Sequence, residues 1–115
     1  MNVALNYSGR WQITEAIKAT IKSVTSNQIN ESDISEAYIS SQLNQVLGSE
    51  PDLLIRTGGE KRISNFLLWQ LAYAELYFDD KLWPDYNRFD LFNAIKDYGN
   101  RQRRFGLEKA NEKLL

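Results

Sequence analysis

Between Asp52 and Ser64 the chain reads DLLIRTGGEKRIS. An apolar run stops at Arg56; two glycines, a lysine, a second arginine and a serine follow. Arginine presents a planar fork that matches phosphate oxygens two at a time. Glycine lets backbone N–H groups come close to an anion. Ser64 stands just before an apolar run that reads as a helix, so its hydroxyl and the helix start can face the same anion. Arg56, Arg62 and Ser64 thus outline a diphosphate cradle at a strand end. The competing reading is an ordinary connection with salt-bridged surface arginines. A second stretch, NYSGR, has similar chemistry: Asn6, Tyr7 and Arg10 either line the same site or serve as turn and capping residues.

Glu75 lies inside LAYAELYF. A carboxylate so flanked by apolar residues is rarely left bare. It reads either as a ligand for a hard ion such as Mg²⁺ beside a diphosphate or as half of an ion pair, with Arg62 a natural partner.

The absences narrow the chemistry. The chain has no cysteine and no histidine. That removes disulfides, a thiolate nucleophile, zinc–sulfur sites, a Ser-His-Asp triad and a Cys-His pair. What remains suits phosphate chemistry, where positioning and charge neutralisation carry most of the load. The net charge of −1 points to no nucleic acid. RQRR (101–104) reads as favourable charge at the negative end of a helix dipole. With no signal peptide and no long apolar run, a cytoplasmic protein is the default.

These residues need elements to hold them. The 115 residues, 43% of them apolar, suit one domain with one core. VALNY (3–7) reads as a strand. Ile13, Ile17, Ile21 and Val24 recur at helical spacing, predicting a helix over roughly 11–25. Ile34, Tyr38, Ile39, Leu43, Val46 and Leu47 mark a second helix, closed by Gly48 and Pro51. DLLIR is an unalternating strand, as expected when helices cover both faces of a sheet. NFLLWQLAYA (65–74) is apolar nearly all round and predicts a buried helix; ELYF (75–78) is a third strand. After the KLWPDYN turn, Asn87 and Asp90 read as a cap and its reciprocal partner for a helix to about Arg103. Trp11, Trp69 and Trp83 read as core or interface. The order predicts an α/β fold with a mainly parallel sheet flanked by helices. Three strands is thin for such a sheet, so its completion by residues outside this chain is expected. Residues 1–106 form the domain portion and 107–115 a polar tail.

Taken together, NYSGR, DLLIRTGGEKRISNFLLWQLAYAELYF, LWPDY and NRQRRFG closely resemble the cis-prenyltransferases, above all their bacterial di-trans,poly-cis branch. The resemblance implies condensation of isopentenyl diphosphate onto an allylic partner such as farnesyl diphosphate, with Mg²⁺, in a homodimer. The lipid product goes to the membrane, and the enzyme is cytoplasmic or peripheral to the inner membrane face. By motif, Arg56, Arg62 and Ser64 match the isopentenyl diphosphate headgroup positions, and Glu75 the metal-associated glutamate. Asn6 and Arg10 match the motif lining the site. Arg104 and Gly106 match an Arg-x-Gly motif that reaches into the partner subunit's site. The likeness covers only the carboxy-terminal half of the family pattern. The aspartate of the D-G-N-G-R-W loop has no counterpart, so no catalytic residue is assigned. Gln12 stands where the family often has an acidic residue, and Lys61 at a variable position. The expectation is an isopentenyl diphosphate half-site, inactive alone. The alternatives are a non-catalytic partner subunit and a simple diphosphate-binding module.

Overall fold

A computed structural model describes residues 1–102. It contains α1 (Gly9–Thr25), α2 (Glu36–Leu43), β1 (Leu53–Arg56), β2 (Glu75–Phe78) and α3 (Arg88–Asn100), with short 3₁₀ turns at Glu31–Asp33 and Trp83–Asp85. β1 and β2 pair in parallel, Leu53 opposite Glu75 and Arg56 opposite Phe78. The architecture is therefore α/β with a parallel sheet, as the apolar runs predict. The sheet has two strands among the described residues, not three.

The helix starts follow local chemistry. Ser8 caps α1, its Oγ accepting from the Trp11 N–H at 3.2 Å. Ser35 caps α2 in the same way. Asn87 and Asp90 form the reciprocal box predicted for α3. α2 is shorter than its apolar pattern, ending at Leu43 rather than running to Leu47.

Two predicted elements are absent. Residues 3–7 form no strand. They have the right alternation, but a strand needs an edge to pair with. This segment instead lies over the end of α2, where Asn2 Nδ2 donates to the Val46 carbonyl at 3.3 Å.

Residues 65–74 form a series of turns rather than a helix. Ser64, Asn65 and Leu67 take left-handed φ values of 46°, 66° and 46°, which a right-handed helix excludes. The Asn65 carbonyl accepts from the Gly9 N–H at 2.8 Å, so it is engaged outside its own segment.

The core is small. Ala16, Leu43, Leu71 and Ala94 are its buried apolar residues among those described. At the junction of α1, α2 and the 65–74 turns sits a polar knot. Gln70, 1% exposed, donates to Gln12 Oε1 at 3.2 Å and to the Leu43 carbonyl at 3.3 Å. Gln12 Nε2 donates to the same carbonyl at 2.9 Å, and the Tyr7 hydroxyl donates to Gln12 Oε1 at 2.5 Å. Burial raises the Tyr7 pKa above its usual 10.0, keeping the phenol a neutral donor. Gln12 is thus a structural hub, and an acid there would lack the N–H that Leu43 receives.

Candidate functional site

The site is assembled at the carboxyl end of β1, where ligands bind in open α/β sheets. Arg56 closes that strand and its guanidinium turns toward the following loop. Its Nη1 donates to Ser64 Oγ at 3.0 Å and to the Arg62 carbonyl. Both acceptors are neutral, and Arg56 has no carboxylate partner among the described residues. The structure therefore brings Arg56 and Ser64 together as predicted.

Arg10 enters from α1. Its backbone N–H donates to Asn65 Oδ1 at 2.9 Å. Arg10, Ser64, Asn65 and Leu68 line an open cavity of about 470 Å³. Arg62 contributes its carbonyl to Arg56, while its exposed side chain pairs with Glu60. Asn6 does not line the cavity. It is exposed and takes a left-handed φ of 51° in the turn before α1, which asparagine tolerates better than most residues. Arg104 and Gly106 lie outside the described residues.

The glycines work differently from the sequence expectation. The Gly58 N–H donates to the Lys81 carbonyl at 2.8 Å and that of Gly59 to the Asp79 carbonyl at 3.0 Å. Their φ values of 87° and 78° suit glycine alone. The Gly-Gly pair thus stitches the loop after β1 to the loop after β2 and presents no free amide to an anion. Gly9 serves close packing: a Cβ there would stand 2.9 Å from the Asn65 carbonyl oxygen and from Leu68 Cγ. The α1 N-terminus is likewise occupied, by Ser8 and Asn65. What remains for an anion is side-chain chemistry: the arginine forks and the serine hydroxyl.

Asn65 is the residue that motif reading missed. It ties the 63–68 loop to α1 three times, through its carbonyl to Gly9, its Oδ1 to Arg10, and its Nδ2 to Ser8 Oγ at 2.9 Å. The signal was present: Ser-Asn at 64–65 is a turn dipeptide as readily as a helix start.

Glu75 lies at the other end of the sheet. It opens β2 opposite Leu53, three residues from the level of Arg56. Its Oε2 accepts from Arg101 Nη1 at 2.9 Å, the partner being Arg101 and not Arg62. Arg101 also donates to the Leu76 carbonyl at 2.9 Å and pairs with Asp97 at 2.6 Å. The Glu75 hydrogen bond raises the Arg101 pKa above its usual value. Among the described residues no group of three carboxylates could hold a metal ion. Glu75 offers a single carboxylate held by Arg101, which fits Mg²⁺ where diphosphate oxygens and water supply the other ligands.

The chain matches the prenyltransferase family model described as "Putative undecaprenyl diphosphate synthase" over residues 1–106. It is 51% identical over 118 aligned residues to the (2E,6E)-farnesyl-diphosphate-specific ditrans,polycis-undecaprenyl-diphosphate synthase of Buchnera aphidicola from Acyrthosiphon pisum, covering 98% of this chain and 45% of that protein. It is 51% identical to the decaprenyl diphosphate synthase of Mycolicibacterium smegmatis, covering 92% of this chain and 36% of the relative. Among solved structures, lavandulyl diphosphate synthase from Lavandula x intermedia, in complex with dimethylallyl diphosphate, superposes with a TM-score of 0.84 at 41% identity. That match covers 90% of this chain and 45% of the other. The chain thus spans less than half the length of these relatives.

Proposed function

The chain belongs to the prenyltransferase family of undecaprenyl diphosphate synthases, and on that premise we propose that Arg56, Ser64 and Arg10 hold the diphosphate of isopentenyl diphosphate. One observation carries this reading. Arg56 is fixed by neutral oxygens, without a counter-charge among the described residues, beside an open cavity that Arg10 and Ser64 line. A guanidinium left unneutralised at a strand end is charge complementary to an anion.

The division of labour follows. Arg56 gives one nitrogen to the loop and keeps its other N–H groups for phosphate oxygens. Ser64 rigidifies that arginine and offers its hydroxyl. Arg62 joins by exchanging its exposed Glu60 partner for phosphate, an exchange of small cost because exposed ion pairs are weak. Held by its headgroup, isopentenyl diphosphate presents its terminal carbon to the C1 of an allylic diphosphate, farnesyl diphosphate in our reading. The new carbon–carbon bond forms there as the allylic diphosphate leaves and a proton is lost from isopentenyl C2.

Mg²⁺ would be held by diphosphate oxygens and by Glu75, freed from Arg101 or supplied by a partner subunit, and would neutralise charge on the diphosphate. A homodimer in which Arg104 and Gly106 enter the neighbouring site belongs to the same reading. So does delivery of the polyprenyl product to the inner membrane face for cell-wall synthesis. In this reading the chain carries the isopentenyl diphosphate half-site and lacks the allylic one. The purified 115-residue chain is therefore expected to bind isopentenyl diphosphate without elongating a prenyl chain.

The test is calorimetric titration of isopentenyl diphosphate, with and without Mg²⁺. Saturable binding that weakens on the order of 50-fold in Arg56→Ala fits loss of a charge-assisted contact of about 2–3 kcal/mol. Equal affinity in the variant would sink the proposal.

A further inference from the structure

α3 carries apolar side chains on two sides. One side packs against β2, with Ala94 fully buried and Tyr98 half-buried. The opposite side holds Phe89, Phe92 and Ile95, which are 66%, 67% and 51% exposed. A helix surface with that much bare apolar area on the side away from its own core is covered by something else.

The charges on α3 say what covers it. Its two carboxylates are already neutralised: Asp90 by Lys81 at 2.7 Å and Asp97 by Arg101 at 2.6 Å. Its two remaining cations, Arg88 and Lys96, fall at helical spacing on the arc of Phe89, Phe92 and Ile95. Neither forms an ion pair among the described residues. The Arg88 guanidinium lies over the Phe89 ring, 4.9 Å from its centre. This arc therefore presents three large apolar groups, two exposed cations and no carboxylate.

We infer that the outer face of α3 docks on an anionic lipid bilayer. Aromatic and aliphatic groups flanked by Lys and Arg are the pattern of helices that lie in the membrane interface. Long cationic side chains reach headgroups while the rings enter the acyl boundary. Insertion across the membrane is not involved, since no described helix is long and apolar enough to cross one. A second copy is the weaker occupant, because its identical face would meet Arg88 and Lys96 with no carboxylate to receive them. The inference rests on the proposed delivery of a lipid product to a membrane, and it names the surface that makes the contact.

The test is co-sedimentation of the full chain with vesicles of phosphatidylcholine alone and of phosphatidylcholine with about a third phosphatidylglycerol. No diphosphate substrate is present, so the outcome is independent of isopentenyl diphosphate binding. Binding is expected to the anionic vesicles and to fall with salt. Phe92→Glu should weaken it about tenfold or more, and Arg88→Gln and Lys96→Gln roughly fivefold each. All three positions are exposed, and circular dichroism checks that the variants keep the fold. Two results would overturn the inference. One is failure of the chain to bind anionic vesicles. The other is a Phe92→Glu variant that breaks a chain dimer in light scattering yet binds vesicles as the parent does.

Discussion

The two ends of the β1–β2 sheet hold charge in opposite ways. At the amino end, Glu75 faces Arg101, which also holds Asp97 and the Leu76 carbonyl. Every charge there has a partner within the chain, so the cluster fastens α3 to the start of β2. At the carboxyl end, Arg56 is held by a hydroxyl and a carbonyl, and Arg10 beside it lines open space. Matched charge makes structure, and unmatched but well-positioned charge is what the proposed binding site rests on. Glu75 and Arg56 are both motif residues, yet only position in the sheet separates their roles.

The sharpest way to break the comparison is to disturb the carboxyl end without touching a charge. Gly9→Ala puts a Cβ against the Asn65 carbonyl and Leu68, neither of which is a flexible tip. Overpacking of this kind costs about 2 kcal/mol. Thermal melting should register that loss. Isopentenyl diphosphate affinity should fall as well, because the same contact sets Arg10 against the Ser64 loop. A variant as stable and as tight-binding as the parent would show that this contact does not organise the site.

The amino end should behave in the reverse sense. Arg101→Ala leaves Glu75 and Asp97 without their partner. Both Arg101 and Glu75 are less than a third exposed, at 29% and 27% for their side chains. We expect a loss of about 1–2 kcal/mol, more than an exposed pair gives and less than a buried one. Calorimetric affinity for isopentenyl diphosphate, measured without Mg²⁺, should stay as it was. A variant that keeps its melting temperature but loses affinity would make Glu75 and Arg101 part of the site and erase the distinction between the two ends.

Much of this contrast could be read before the structure. Arg56 and Ser64 meet as the strand-end reading requires, because an apolar run of this length leaves few places for the strand to stop. The Asn87–Asp90 cap was legible because its bonds are local. Long-range pairing was less so. Alternation in residues 3–7 describes a strand's faces but not whether an edge is free to receive it. The apolar run at 65–74 has helical composition, yet Asn65 gives its carbonyl and side chain to the start of α1. Composition does not reveal a hydrogen bond made to a residue more than fifty positions away. The glycine amides failed for the same reason, their acceptors lying in the loop after β2. The far position of Glu75 was legible: ELYF starts at that residue, and in a parallel pair the start of one strand lies away from the end of the other, as the register has it.

The smallest effect probes what braces the carboxyl end. Lys81 gives its carbonyl to Gly58 and its ammonium to Asp90, so one residue links the Gly-Gly loop to α3. The Asp90 carboxyl is held below its usual 3.8, first by the Lys81 hydrogen bond and then by the Asn87 N–H. Its folded pKa is therefore lower than its unfolded one, and the unfolded chain takes up the proton first. The stabilisation is complete above the unfolded value of 3.8 and is lost as pH falls through the folded value. Melting temperature against pH should thus drop more steeply for the parent than for Asp90→Asn below about pH 4, with the two curves differing most at neutral pH. If the curves run parallel through that window, the Lys81–Asp90 link contributes nothing that titrates. The carboxyl end would then be braced by the Gly58 and Gly59 backbone bonds alone, as insensitive to acid as any peptide hydrogen bond.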